Sequence, residues 1–250
     1  GNPSKDPLVL WTNGGPGCSG IGGMLSEMGP FRPTENGDLE LNEMTWNSVA
    51  NIVYIEQPAG VGFSYNTSAV GVYDDAQCAL DNTAFIEQFL AAYPEFTPNE
   101  FYLSSESFGG HYLPTLAKQL VVDGTSANFK GFAVGNPMTY LLYRDYGQYG
   151  TFAGHQLLPK PAWNAYLALG CKDNDKTEAC VAAMESFDEL TSGLDPYALD
   201  FLVCSTDLAT GRRERHQLVS YLKRAGAHGP KSASHYEPCS GDWVTAYLNR

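Results

Sequence analysis

Short apolar runs alternate with longer amphipathic stretches through the first half of the chain. Leu8 to Trp11, Ile52 to Glu56, Phe101 to Ser104 and Phe129 to Val134 are compact, β-branched or aromatic, and bounded by turn residues, which predicts buried strands. Between them the spacing turns helical: around Met24, over Asp74 to Tyr93, and over Phe108 to Val122. In the second of these Ile86, Phe89, Leu90 and Tyr93 share one face, as a helix packed on a sheet requires. Strand and helix in alternation predict a doubly wound, mostly parallel sheet with right-handed crossovers. From about His155 to Pro238 the pattern loosens into short helical pieces such as Ala179 to Leu190 and polar joints. The expected organisation is an α/β core over 1–154, an inserted cap over 155–238, and a return to the core over 239–250. There is no internal repeat or low-complexity segment.

Two junctions in that pattern carry chemistry. Phe101-Tyr-Leu-Ser-Ser-Glu-Ser-Phe-Gly-Gly-His-Tyr112 runs from strand to helix through a tight turn centred on Ser107. Such a turn strains its central residue and tolerates only small residues two positions to either side, here Ser105 and Gly109. It presents a serine hydroxyl at a helix N-terminus, although Ser105 departs from the usual G-x-S-x-G. Pro7-Leu-Val-Leu-Trp-Thr-Asn-Gly-Gly-Pro-Gly-Cys-Ser19 opens a strand into a glycine-rich loop, where Gly14 and Gly15 let backbone N–H groups approach a bound group. A phosphate loop would need the Walker lysine or G-x-G-x-x-G spacing; neither is present, so a hole for a tetrahedral oxyanion fits better.

Together these segments resemble the serine carboxypeptidases, a peptidase branch of the α/β-hydrolase fold. The resemblance rests on Trp11 to Ser19, on Asn51-Ile-Val-Tyr-Ile-Glu-Gln-Pro-Ala-Gly-Val-Gly-Phe-Ser-Tyr65, on Ser105-Glu-Ser-Phe-Gly-Gly-His-Tyr112 and on Phe129-Lys-Gly-Phe-Ala-Val-Gly-Asn136. Tyr236-Glu-Pro-Cys-Ser240 and Tyr247-Leu-Asn-Arg250 resemble the family too, so the likeness spans almost the whole chain. It implies that Ser107 is the nucleophile of an acyl-serine mechanism and that the N–H groups of Gly15 and Phe108 form the oxyanion hole. The family usually has tyrosine where this chain has Phe108; a main-chain donor, worth about 3 kcal/mol in the transition state, survives that change. The resemblance also implies that Asn13, Gly14, Glu27 and Glu106 hold the C-terminal carboxylate of a peptide. Crowded carboxyls can accept a third only by sharing a proton, which implies an acidic optimum.

A triad needs an acid and a histidine downstream of Ser107, at the ends of later strands. The family segments that supply them are not recognisable in this chain, so the sheet is expected to be incomplete, with its later strands missing and an open edge. His111 follows the serine on its helix and reads as a core residue, while His155, His216, His228 and His235 lie in the insertion. The chain alone is therefore expected to be nearly inert, either as a piece whose partner chain supplies the aspartate and histidine or as a catalytically dead relative that keeps the pocket for binding. Gly211-Arg-Arg-Glu-Arg-His216 and Lys223-Arg224 read as a cleavable basic stretch or as a solvated loop. An acyltransferase on the same scaffold is the nearest catalytic rival.

Composition narrows the setting. At 250 residues, 43% hydrophobic and 17% charged, the chain buries a sizeable core. A net charge of -13 and a pI near 4.7 exclude nucleic acid as a natural partner and suit acidic surroundings. No apolar run reaches membrane-spanning length. Asn66-Thr67-Ser68 is a glycosylation sequon, consistent with a secreted, vacuolar or lysosomal protein. The six cysteines form no C-x-x-C pair, which favours disulfides over a metal site; no metal or cofactor is expected. The resemblance implies a Cys18–Cys239 bridge, with one more among Cys171, Cys180 and Cys204, and Cys78 reads as a buried thiol.

Overall fold

The computed structural model describes residues 1–67, 73–140, 142–173, 176–199, 203–204 and 237–250. The chain divides into two compact units, one of Gly1–Thr139 with Ser240–Arg250 and one of Tyr140–Cys239.

The first unit is built on a sheet of β1 (Leu8–Thr12), β4 (Asn51–Tyr54), β5 (Glu100–Glu106) and β6 (Asn128–Gly135), in the order β4-β1-β5-β6 with every pairing parallel. Leu8 stands between Asn51 and Phe101, and Leu10 between Val53 and Leu103, so the apolar run of β1 is flanked by apolar residues of β5 and, past Asn51, of β4. On one face Leu8, Leu10, Phe101 and Leu103 meet Ile86 and Leu90 of α2 (Asp75–Ala92) and Leu113, Leu116 and Leu120 of α3 (Gly109–Asp123). Asp74 caps α2 by accepting from the Gln77 N–H. Tyr93, expected on the buried face, is instead half exposed at the C-cap, where its ring packs 5.0 Å from that of Phe89.

The strand order has a directional consequence. The chain moves outward from β1 to β4 through α1 (Gly20–Ser26), then jumps back across β1 to β5 and on to β6. Right-handed connections therefore put α1 on one face and α2 and α3 on the other. The reversal falls between β1 and β5, and the crevice past the carboxyl ends of strands at such a reversal is where ligands bind in open α/β sheets. Two elements had no clear signal in the pattern: an antiparallel hairpin of β2 (Phe31–Pro33) and β3 (Leu39–Leu41), and α7 (Ser240–Leu248). The return segment is thus helical; α7 packs on α1 and β2, and Arg250 Nη1 donates to the Gly37 carbonyl at 2.7 Å.

The second unit begins at Tyr140 rather than His155. The reason is α4 (Leu142–Gly154), whose Tyr149 and Phe152 are buried with Tyr166 of α5 (Lys160–Ala168) and Phe187 of α6 (Glu178–Thr191). A disulfide joins Cys171 to Cys180 across the start of α6.

Leu113 is fully buried and Val121, on the same helix, is 72% exposed. Leu113→Ala should cost about 2–5 kcal/mol of unfolding free energy and Val121→Ala under about 0.5, read from urea midpoints; equal costs would contradict this packing.

Candidate active site

Ser107 directly follows β5 with φ at +52°, in the left-handed region that L-residues with side chains avoid. Its surroundings fix that conformation. The Ser107 N–H donates to the Gly135 carbonyl at 2.9 Å, and its carbonyl accepts from Gly110 N–H at 3.0 Å and Met138 N–H at 2.7 Å. The small-residue requirement is visible in the packing: a Cβ on Gly109 would lie 2.0 Å from Ser105 Oγ, and one on Gly110 would lie 2.4 Å from the Met138 carbonyl oxygen. Serine in place of the first glycine is thus accommodated because Gly109 has no side chain. The elbow delivers Ser107, half-buried, to the N-terminus of α3, where positive partial charge and unpaired N–H groups gather.

The glycine-rich loop after β1 closes on this turn. A Cβ on Gly14 would sit 2.5 Å from the Phe108 amide nitrogen and 2.6 Å from the Glu106 carbonyl oxygen, so only glycine permits the approach. Gly15 adopts φ of +106°, again open to glycine alone. Tyr112, buried one turn into α3, braces the loop: its hydroxyl accepts from Gly17 N–H at 3.3 Å, and its ring meets Phe108 edge-on at 5.0 Å.

Beside the serine lies an acid pair arranged around one amide. Asn13 Nδ2 donates to Glu27 Oε1 and to Glu106 Oε1, each at 3.0 Å. Its Oδ1 accepts from the Trp11 indole N–H at 2.8 Å. Indole only donates, so this contact fixes which end of the amide faces the acids. Gly23 makes room, since a Cβ there would lie 2.0 Å from Asn13 Oδ1. Burial, then the charge of Glu106, push the Glu27 carboxyl from its ordinary 4.5 up to about 7; a hydrogen bond to Glu106 adds to the rise and the one from Asn13 opposes it. Below that pH Glu27 is a neutral acid able to donate. A cavity of about 630 Å³ opens along Trp11, Glu27, Met28, Met44, Trp46 and Glu106.

Ser107, Phe108, Gly14, Gly15, Asn13 and Glu106 are therefore gathered by two neighbouring strand ends, and Glu27 joins them from the C-cap of α1. Trp11 and Tyr112 were not foreseen as parts of this site. Trp11 occupies a strand position and reads as core, and the Tyr112 contact joins residues far apart in sequence.

Other expectations fall elsewhere. His111 stacks on Phe108 with ring centroids 4.6 Å apart and places Nδ1 3.2 Å from Asp75 Oδ2; it is packed and hydrogen-bonded but half-buried, at the margin of the core rather than within it. His155 is exposed in the second unit, and among the described residues no hydrogen bond joins the Ser107 hydroxyl to a histidine. His216, His228, His235 and the basic stretches lie outside the described residues. The Cys18–Cys239 bridge is not formed: Cys239 is bonded to Cys204, a sulfur makes only one such bond, and Cys18 remains an exposed thiol. Cys78 is a buried thiol, pushed up to about 11 by burial and by Asp75, Asp81 and Asp74. Asn66 is exposed and its Nδ2 lies 3.5 Å from the Tyr73 hydroxyl, whereas Ser68 of its sequon lies outside the described residues.

Comparison with known proteins agrees with this geometry. The family model described as serine carboxypeptidase matches residues 1–250. Serine carboxypeptidase-like 26 of Arabidopsis thaliana is 35% identical over 262 residues, covering 99% of this chain and 54% of the relative. Lysosomal protective protein of Mus musculus is 38% identical over 227 residues, covering 87% and 48%. Among solved structures, Kex1(delta)p, a prohormone-processing carboxypeptidase from Saccharomyces cerevisiae, superimposes with a TM-score of 0.61 at 26% identity, over 74% of this chain and 45% of that one. The α/β-hydrolase expectation holds, and the chain spans about half the length of the relatives it matches.

Two outcomes follow from the packing and the charge. Gly109→Ala should destabilise the protein by about 1–3 kcal/mol, and adding Ser105→Gly should recover most of that loss; a double variant no better than the single would contradict the Ser105–Gly109 contact. The raised Glu27 carboxyl binds a proton in the folded chain between pH 4.5 and about 7 that the unfolded chain has released. Its contribution to stability should therefore be full below 4.5 and fall as pH rises through 7. Urea unfolding across that window should show the decline in the wild type and a flatter profile in Glu27→Gln.

Proposed function

Because the chain belongs to the serine carboxypeptidase family, we propose that it acts in the release of C-terminal residues from peptides, through an acyl-serine intermediate and at acidic pH. The observation that carries this reading is the Asn13 amide held between Glu27 and Glu106 beside the Ser107 elbow. A general esterase would have no use for an acid pair that can share a proton.

In this reading the peptide's terminal carboxylate accepts a hydrogen bond from the neutral acid of the pair, which the Asn13 amide holds in place beside the Gly14 backbone. That places the last peptide bond over Ser107. The Ser107 oxygen attacks the carbonyl carbon and its proton passes to a base. The oxygen of the tetrahedral intermediate, now negative, is met by the N–H groups of Gly15 and Phe108. The C–N bond breaks, the proton goes to the departing amine, and the terminal amino acid leaves. Water then adds to the acyl-serine, releasing the shortened peptide and restoring the hydroxyl. The base is a histidine, oriented by an aspartate, supplied by polypeptide beyond this chain; the half-length match to the relatives supports that assignment. Without it turnover falls by about a millionfold in comparable serine enzymes.

The secretory pathway, ending outside the cell or in a vacuole or lysosome, is the setting this reading favours. Two disulfides, an exposed Asn66 and the name of the mouse relative support it, and among the described residues no helix is long and apolar enough to cross a membrane.

The test is peptide hydrolysis by the chain co-expressed with the complementary part of a relative. KM for an N-blocked dipeptide should rise about tenfold between pH 5 and pH 8 while kcat changes little, because Glu27 loses its proton near 7. Ser107→Ala should abolish turnover. A KM that stays level across this range, or hydrolysis retained by Ser107→Ala, would overturn the proposal.

A further inference from the structure

Where β4 ends, across β1 from the serine elbow, a second cavity of about 630 Å³ opens in the first unit and shares no residue with the site around Ser107. Much of its wall is aromatic: Tyr54, Phe63, Tyr65, Tyr73 and Phe85. Phe63 and Tyr65 are 64% and 80% exposed. Apolar residues scattered singly over a surface are ordinary, but rings gathered around one opening mark a place where something binds. The charged lining has one sign. Glu56 and Asp81 belong to it, and among the described residues no lysine, arginine or histidine does. Glu56 accepts from the Ser19 hydroxyl and the Phe63 N–H, and Asp81 accepts from Gln77 Nε2 at 2.8 Å, all neutral donors. Among the described residues neither carboxylate has a cationic partner. Burial, then the charges of Asp75, Asp81 and Asp74, push the Cys78 thiol of the lining up to about 11, so the field at that wall is negative.

The buried polar floor fixes what kind of atom the cavity offers. Thr12 Oγ1 gives its one proton to the Asn13 carbonyl at 3.2 Å, a group that can only accept. Its oxygen is then free to accept, and Gln57 Nε2 donates to it at 3.1 Å. That turns Gln57 Oε1 toward α2, where it accepts from Asn82 Nδ2 at 3.3 Å. Reversing either amide would set two acceptors face to face, so the order of the chain is settled. Asn82, only 6% exposed and part of the lining, is left with its Oδ1 unmet by any donor among the described residues. A buried amide oxygen without a partner is costly, so the cavity calls for a donor.

We propose that this cavity binds a primary ammonium group carried on an apolar body: an N–H donates to Asn82 Oδ1, Asp81 and Glu56 balance the charge, and the body lies against the exposed rings. Each feature of the lining selects for that chemistry. Aromatic faces attract a cation and shelter the apolar part attached to it. An anion would meet two carboxylates with no counter-charge, and a hydrocarbon would leave Asn82 Oδ1 unpaired. The volume lies in the range of small-molecule sites. A free amine and the lysine side chain of a polypeptide present the same group, and the site is independent of the catalytic reading because it uses none of its residues.

Isothermal titration calorimetry of the full chain with phenethylammonium tests this, with phenylpropionate, similar in shape and opposite in charge, as the control. The ammonium should bind about tenfold or more tightly than the carboxylate. Asp81→Asn and Tyr65→Ala, both at exposed positions, should each weaken ammonium binding about fivefold or more while their circular dichroism matches the wild type. Ser107→Ala should bind as the wild type does. A lysine peptide blocked at both ends tells the sources apart: binding as tight as that of phenethylammonium assigns the group to a polypeptide side chain, weaker binding assigns it to a free amine, and either upholds the site. No binding of phenethylammonium at millimolar concentration, equal binding of phenylpropionate, or ammonium binding unmoved by both Asp81→Asn and Tyr65→Ala would overturn the proposal.

Discussion

The structure depends on one buried amide. Asn13 stands at the end of β1 with its oxygen held by Trp11 and both its N–H groups spent on carboxyls from two other elements, Glu27 at the end of α1 and Glu106 at the end of β5. Two carboxyls drawn to one donor cannot both be ionised cheaply when partly buried, and burial is the larger cause of the raised Glu27 carboxyl. The amide therefore does more than tie three elements together. It builds an acid pair whose charge state changes between acidic and neutral pH, beside a strained serine.

That arrangement is a consequence of topology before it is one of chemistry. The chain reverses its direction of winding between β1 and β5, and this reversal makes neighbours of two strand ends that are far apart in sequence. The glycine-rich loop leaves one end and the serine elbow the other. Their contact is tight enough that Gly14 has no room for a methyl group, and within the elbow Gly109 has none beside Ser105. The loop, the elbow and the acid pair thus share a single packing solution, braced from below by Tyr112.

Much of this could be read from the residues because local rules decided it. Short apolar runs became β1, β4, β5 and β6, and the small residues flanking Ser107 announced a strained turn that the positive φ bears out. What escaped was decided by distant contacts. The β2–β3 hairpin has three-residue strands, too short for alternation to register. Tyr93 shares the apolar spacing of α2 but sits at its end, where the sheet no longer covers it. α4 follows the last strand without a break in composition, yet its aromatic residues join a different core. The pairing of Cys239 with Cys204 rather than Cys18 is a choice among sulfurs that spacing alone does not make. Trp11 looked like a core residue and is one, but its N–H also sets the orientation of the whole acid cluster.

A carboxyl-carbon NMR titration of Glu27 tests the central claim most directly, because it reads the acid pair without substrate, partner or turnover. The midpoint should lie near 7 in the wild type and move higher in Asn13→Ala, since the amide's hydrogen bond favours the ionised form. A midpoint near 4.5 in the wild type, indifferent to Asn13→Ala, would show that no shared proton exists and would remove the basis for binding a peptide carboxylate there.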